Sequence, residues 1–277
     1  MKRKVMWIII ALMLMATTAS AQENLQRGAI ASQVKKSFTT VKELPITSVK
    51  NQYRSGTCWA YTTLGYFESE ILRQTGKTYD LCEMFVVNND YMDNATHYVQ
   101  SVLPRVGTYC KQYRKKNAKA PKAHWQDSVQ AVINRYIGSC PEQFVYQGKT
   151  YTPKTFAESL GLNLDDYVSL TSFTHHPFNQ WFVIEAPYKW RLKPSYNIPI
   201  EQLMDVLDKA IDAGYTVAWG GDVTGDFTRT GLAMLPEGVK PTQQLRQEQW
   251  DDWRFTYDHV MLIYGKATDE QGNPYIW

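Results

Sequence analysis

The hydrophobic period of this chain changes once, and that change limits the folds open to it. In the first part, apolar residues recur every three or four positions. Ala60, Tyr61, Leu64, Phe67, Ile71 and Leu72 form one such set, beginning at Cys58 and stopped by Gly76. A second helical stretch covers about 83–99. A third carries Trp125, Val129, Val132, Ile133 and Tyr136, and a fourth runs from Pro199 through Leu203, Leu207 and Ile211 to Gly214. The period then shortens. Residues 215–219 read as a strand stopped by Gly220-Gly221, and 258–264 as a strand stopped by Gly265. Tyr275-Ile276-Trp277 begins another after the turn signal Asn273-Pro274. Helices lead and strands follow, so the expected class is α+β with segregated halves. No internal repeat interrupts that order.

The first 21 residues stand apart. Lys2, Arg3 and Lys4 precede an apolar run from Val5 to Ala16, and small residues end it at Ala19-Ser20-Ala21. This is the pattern of a secretory signal peptide, and the run is too short for a membrane span of about twenty residues. Cleavage after Ala21 removes three of the 30 basic residues and none of the 27 acidic ones, so the formal charge of +3 belongs to the leader. A near-neutral mature chain gives no footing for nucleic-acid binding. The basic segment 111–122 has few interleaved aromatics and reads as a solvated loop or insertion. A mean hydropathy of −0.42 excludes a polytopic membrane protein, and four cysteines are too few for a disulfide-stapled module. The expected location is outside the cytoplasm, periplasmic or extracellular, with no stable membrane insertion once the leader is cleaved. Residues 22–47 read as a polar N-terminal arm.

Cys58 carries the chemical signal. It opens an amphipathic helix, where free N–H groups and the positive end of the helix dipole favour a thiolate. The thiolate is the nucleophilic form. Gln52 lies on the loop entering that helix, and its amide can donate to an oxyanion beside the Cys58 N–H. Far along the chain, His259 opens the apolar strand Val260-Met261-Leu262-Ile263 after Asp258, where it can face a cysteine on another lobe.

The stretch Gln52-Tyr53-Arg54-Ser55-Gly56-Thr57-Cys58-Trp59-Ala60 resembles the nucleophile segment of papain-like cysteine peptidases. The order of cysteine before histidine fits that family. Tyr151-Thr152-Pro153-Lys154, Leu160-Gly161-Leu162, Leu170 through Phe178, Trp219 through Val223 and Asp258 through Leu262 resemble its bleomycin hydrolase or aminopeptidase C branch. The stretch between Gln22 and Gln52 is too short for the long inhibitory propeptide of other secreted members, which agrees with that branch. The resemblance implies a two-lobed fold over 48–277. A helical lobe with an insertion, about 48–198, would carry Cys58, and a β-rich lobe, about 199–277, would carry His259. It implies peptide-bond hydrolysis of a peptide or protein through an acyl-enzyme. Cys58 would be the nucleophile, His259 the proton carrier and Gln52 an oxyanion donor, with no cofactor. Some relatives form rings, so an oligomer is compatible with the resemblance.

The pattern also departs from the family. The asparagine that orients the histidine belongs after a strand like 274–277, where this sequence ends, which implies a domain cut before its last catalytic residue. The alternative is a catalytically impaired peptide-binding homologue. Leu81-Cys82-Glu83 stands where the family has Leu-Ser-Glu, and the exchange reads as a packing swap. A Gly-Gly stretch lining the cleft has no clear counterpart, and exopeptidase and endopeptidase action stay undivided. His175 and His176 are adjacent, so in an extended segment they point to opposite faces and chelate poorly. With neither HExxH nor CxxC, no metal site is expected. Asp165-Asp166 and Asp251-Asp252 read as solvated acids, and a Cys110–Cys140 disulfide stays open.

Overall fold

The computed structural model describes residues 37–102, 125–186, 188–222 and 239–276. The expected leader, Cys110, the basic segment 111–122, Val223 and Trp277 lie outside these residues.

The described chain begins with strand β1 (Phe38–Glu43), followed by helices α1 (Cys58–Thr75) and α2 (Glu83–His97), the latter running into a π-type turn at Tyr98–Val102. Helix α3 (Trp125–Ile137) precedes the hairpin β2 (Phe144–Tyr146) and β3 (Lys149–Tyr151). Then come α4 (Pro153–Ser159), the short strands β4 (Leu170–Thr171), β5 (Gln180–Phe182) and β6 (Ser195–Asn197), and helix α5 (Ile200–Ala213). Strand β7 (Val217–Gly221), helix α6 (Gln243–Asp251) and strands β8 (His259–Ile263), β9 (Gly265–Asp269) and β10 (Pro274–Ile276) complete it. The expected α+β class is the observed one.

Helix α1 ends as its sequence requires. Gly76 adopts φ 69°, a left-handed conformation that a side chain would strain, and its N–H closes on Leu72 O at 2.8 Å. Its interior is less ordinary, because Glu68, Ser69 and Glu70 are buried alongside Ile71. Each is matched, as buried charges must be. Glu68 accepts from Leu81 N at 2.7 Å, from Thr47 Oγ1 at 2.5 Å and from Lys50 Nζ at 3.1 Å. Lys50 also reaches Glu83 at 2.7 Å and Asp80 at 2.6 Å. Burial disfavours the Lys50 ammonium, but hydrogen bonds to Asp80, Glu83 and Glu68 outweigh it and push its pKa well above the ordinary value. Glu70 pairs with Arg73, and Ser69 Oγ meets Thr216 Oγ1 at 2.5 Å.

In the later half, α5 packs on the β7–β8 ribbon through Leu207, Ile211 and Ile263, joined by Leu44 and flanked by Trp219 and Tyr264. β7 and β8 pair antiparallel from Val217↔Ile263 to Gly221↔His259.

Several elements differ from the sequence expectation: the short strands β2 to β6 interrupt the part expected to be helical, and helices α4 and α6 are additional to those expected. Gly220 and Gly221 do not stop the strand; they continue it opposite Val260 and His259. The reason is steric, since a Cβ at Gly221 would sit 2.2 Å from Trp219 Cζ2. Glycine there lets the indole fold back over the ribbon. Gly265 likewise starts β9 rather than ending a strand. The polar arm supplies β1, which pairs antiparallel with β9 and carries a register shift between Thr40 and Lys42. Its residues are mostly exposed, so no apolar alternation announces it.

Candidate active site

The loop before α1 is held by its own polar groups. Asn51 Oδ1 accepts from Tyr53 N at 2.8 Å, and Ser55 Oγ donates to Gln52 O at 2.8 Å. Tyr53 and Gly56 take positive φ of 53° and 67°, which folds the loop tightly enough to deliver Cys58 as the first helical residue. Thr57 occupies the N-cap position without a side-chain cap, and the first turn holds no acid. The N–H groups at this end are therefore left without the usual side-chain acceptor, and the dipole is not offset by a carboxylate.

His259 opens β8, in register with Gly221 at the end of β7, and Asp258 N donates to Gly221 O at 3.2 Å. The ribbon thus fixes the backbone of the histidine from one side.

Cys58, Gln52 and His259 line one cavity of about 400 Å³. Its walls continue along the Tyr61 and Gly65 face of α1 to Lys50, Glu68 and Glu83. Gln52 Oε1 is buried there without a hydrogen-bond partner. A half-turn of the amide exchanges its acceptor and donor, so this side chain has hydrogen-bond capacity uncommitted to the fold. Among the described residues, no hydrogen bond or ion pair engages the Cys58 thiol or the His259 ring. Two neighbouring groups and a third some two hundred residues further along the chain are brought together with their polar atoms unspent.

Two hydroxyl contacts and one glycine join the cysteine helix to the histidine ribbon. Thr62 Oγ1 donates to Val260 O at 2.8 Å. Gly65 faces Leu262, whose Cδ2 would lie 3.9 Å from an added Cβ. The Ser69–Thr216 contact lies further along. The sequence reading missed these residues, although Thr62, Gly65 and Ser69 recur at three- and four-residue spacing on the face that begins with Cys58. That small polar stripe was the available signal. It also missed the Lys50–Glu68–Glu83 network.

The adjacent histidines are not on opposite faces. Residues 174–176 bend, and both rings reach Glu185: His175 Nε2 at 3.1 Å and His176 Nε2 at 2.6 Å. Burial opposes ionisation of Glu185, but hydrogen bonds from His176 and His175 outweigh it and hold the carboxyl below its usual range. The three ligand atoms lie within 4.8 Å of one another. Their partners argue for a hydrogen-bonded hub rather than a metal cradle. Gln247 Oε1 accepts from Thr174 N at 2.7 Å, and its Nε2 donates to Asp251 Oδ1 at 2.7 Å, so the amide cannot turn over. The same Nε2 faces His175 Nδ1 at 3.0 Å, which makes Nδ1 an acceptor and leaves the ring proton on Nε2, toward Glu185. A cation at Nε2 would have to displace that proton.

The remaining sequence readings resolve differently. Cys82 is an exposed N-cap residue of α2 with no side-chain cap, so the exchange costs a capping hydroxyl and is not a packing swap. Asp251 and Asp252 are exposed, as expected of solvated acids, and are also bonded to Gln247 and Arg254. Asp165 and Asp166 are likewise exposed, in a 3₁₀ turn where Asn163 Nδ2 donates to Asp166. Cys140 Sγ accepts from Asn89 Nδ2 at 3.3 Å; its candidate disulfide partner Cys110 is outside the described residues.

Comparisons with known proteins bear on the family and the fold. Residues 34–151 match the family model described as papain family cysteine protease. Cathepsin L2 of Homo sapiens is 35% identical over 66 residues, covering 20% of this chain and 20% of that protein. Cathepsin K of Gallus gallus is 38% identical over 64 residues, covering 20% of this chain and 19% of that protein. The alignments thus span about a fifth of these relatives' length. The crystal structure of pepw from Lactobacillus rhamnosis HN001 superposes with a TM-score of 0.61 at 16% identity, covering 90% of this chain and 76% of that one. That likeness shows the expected papain-like fold and extends over most of the chain, whereas His259 lies beyond the stretch the family model matches.

Proposed function

We propose that this papain-family cysteine protease domain hydrolyses peptide bonds, with Cys58 as nucleophile, His259 as proton carrier and Gln52 as oxyanion donor. The supporting observation is the shared cavity, where all three present polar groups that the fold leaves uncommitted. The Cys58 thiolate attacks the scissile carbonyl carbon, forming a C–S bond and placing charge on the carbonyl oxygen. The Cys58 N–H at the uncapped helix end and the Gln52 amide donate to that oxygen. His259, as imidazolium, gives its proton to the leaving nitrogen as the C–N bond breaks. Water then loses a proton to His259, attacks the thioester and releases the carboxylic acid, restoring the thiolate.

The substrate class is a peptide or protein. The motifs between Tyr151 and Phe178 and around Trp219 and Asp258 support the narrower reading of an aminopeptidase of the bleomycin hydrolase branch. The basic-apolar-small pattern of residues 1–21 supports export to the periplasm or beyond, with a mature chain beginning at Gln22.

The test is turnover of a fluorogenic aminoacyl amide and of a peptide blocked at its N-terminus. Cys58→Ala abolishes hydrolysis of both; release from the free-amine substrate alone by the native protein supports the aminopeptidase reading. Hydrolysis undiminished in Cys58→Ala would overturn the assignment.

A further inference from the structure

We infer that Thr62 is a positioning residue that sets the separation between Cys58 and His259. The inference rests on the peptidase reading above. Thr62 lies four residues beyond Cys58, one helical turn along the same face and about 6 Å along the axis. Its side chain is buried, and its hydroxyl donates at 2.8 Å to the carbonyl of Val260, the residue directly after His259. One short hydrogen bond therefore connects the first turn after the nucleophile to the residue next to the base.

The surrounding geometry gives that bond leverage. Both reacting residues begin their elements, and the bonds on their N-terminal sides, within the 51–57 loop and from Asp258 N to Gly221 O, stay within one wall of the site and do not cross between helix and ribbon. β8 pairs with β7 alone, and its position relative to α1 is set by what crosses between helix and ribbon. The next polar tie, Ser69 to Thr216, lies seven residues further along α1 and reaches the start of the β7 arm. Between the two ties the helix packs on the ribbon, with Gly65 against Leu262, through contacts that resist approach more than separation. With the Thr62 bond removed, the helix and ribbon can splay about the Ser69 end, and the gap opens most at Cys58 and His259. A misplacement of about 1 Å in such a pair costs on the order of a hundredfold in rate. Substrate contacts elsewhere would be little altered, so the loss falls on kcat rather than KM.

The experiment compares Thr62→Val, which keeps the shape and deletes the donor, with Thr62→Ser, which keeps the donor, and with Ser69→Ala, which deletes the distal tie. Each variant is measured for kcat and KM on the aminoacyl amide, for the rate of Cys58 alkylation by iodoacetamide, and for thermal stability. Thr62→Val lowers kcat roughly tenfold to a hundredfold with KM within about twofold, and slows alkylation. Thr62→Ser recovers most of both, and Ser69→Ala loses stability while keeping kcat. Thr62→Ala provides a second deletion of the donor should the valine variant not fold. Wild-type kcat in the folded donor-deleted variant overturns the inference, as does failure of serine to restore it or an equal kcat loss in Ser69→Ala. A native protein with neither turnover nor selective Cys58 alkylation overturns the peptidase reading itself, and the inference with it.

Discussion

Two histidine-bearing regions of this molecule use the same residue types to opposite ends. Around His175 and His176, the polar groups that face one another are paired. Glu185 accepts from both rings, and Gln247 is fixed by Thr174, Asp251 and His175. Around His259, the ring, the Cys58 thiol and the Gln52 amide face a cavity of about 400 Å³ with their capacity unspent. What fixes them is backbone: a tight loop, a helix start and a strand start. A closed network contributes rigidity. An open one, positioned from behind, has hydrogen bonds left to give to a reacting molecule. A glutamine is thus a brace in one place and, in the proposed reaction, an oxyanion donor in the other.

Substitution at the two sites separates these roles. His259→Ala should lower kcat by about 10⁴-fold or more, as loss of a member of a catalytic unit does. His176→Ala should leave kcat/KM within about twofold. Equal losses in steady-state assays would break the contrast. The glutamines sharpen it. Gln52→Ala should reduce kcat by roughly 10²–10³-fold, the scale of one oxyanion donor, with the denaturation midpoint little changed. Gln247→Ala should do the reverse, keeping kcat and losing about 0.5–1.5 kcal/mol of stability by urea titration, because it removes the acceptor of the Thr174 N–H.

The smallest expected effect is electrostatic. Glu185 has a folded pKa below its ordinary 4.5, so its contribution to stability is present above pH 4.5 and is lost as pH falls through the folded value. Glu185→Gln should therefore lose less of its denaturation midpoint than wild type between pH 6 and pH 3.5. Parallel losses would show that the hub carries no such linkage.

The contrast also explains what could be read from residues alone. Helices α1, α2, α3 and α5 were legible because their apolar spacing is local, whereas α4 and α6, short and with little apolar stripe, were not. Gly76 and Gly214 end α1 and α5 where the pattern places them. The cysteine, glutamine and histidine were legible as candidates because each has a characteristic local setting. What stayed hidden depends on distant partners. Gly220 and Gly221 read as a stop, because nothing local says that Trp219 folds over the strand. β1 was hidden because an exposed edge strand needs no apolar alternation. His175 and His176 were placed on opposite faces because the bend at 174–176 is imposed by Glu185 and Gln247, ten and seventy-two residues away. Lys50 and Glu68 gave no sign of their pairing, since a charge in sequence does not announce its burial.

The central claim is that Cys58 is the group the fold holds ready to react. Cys58, Cys82 and Cys140 are all free thiols among the described residues, and Cys82 is the most exposed of them. Limiting iodoacetamide at neutral pH, followed by peptide mass spectrometry, ranks them directly. The account predicts that Cys58 is alkylated first despite its lesser exposure, and that His259→Ala removes that lead. Alkylation in order of exposure, with Cys82 first and no effect of His259→Ala, would contradict it.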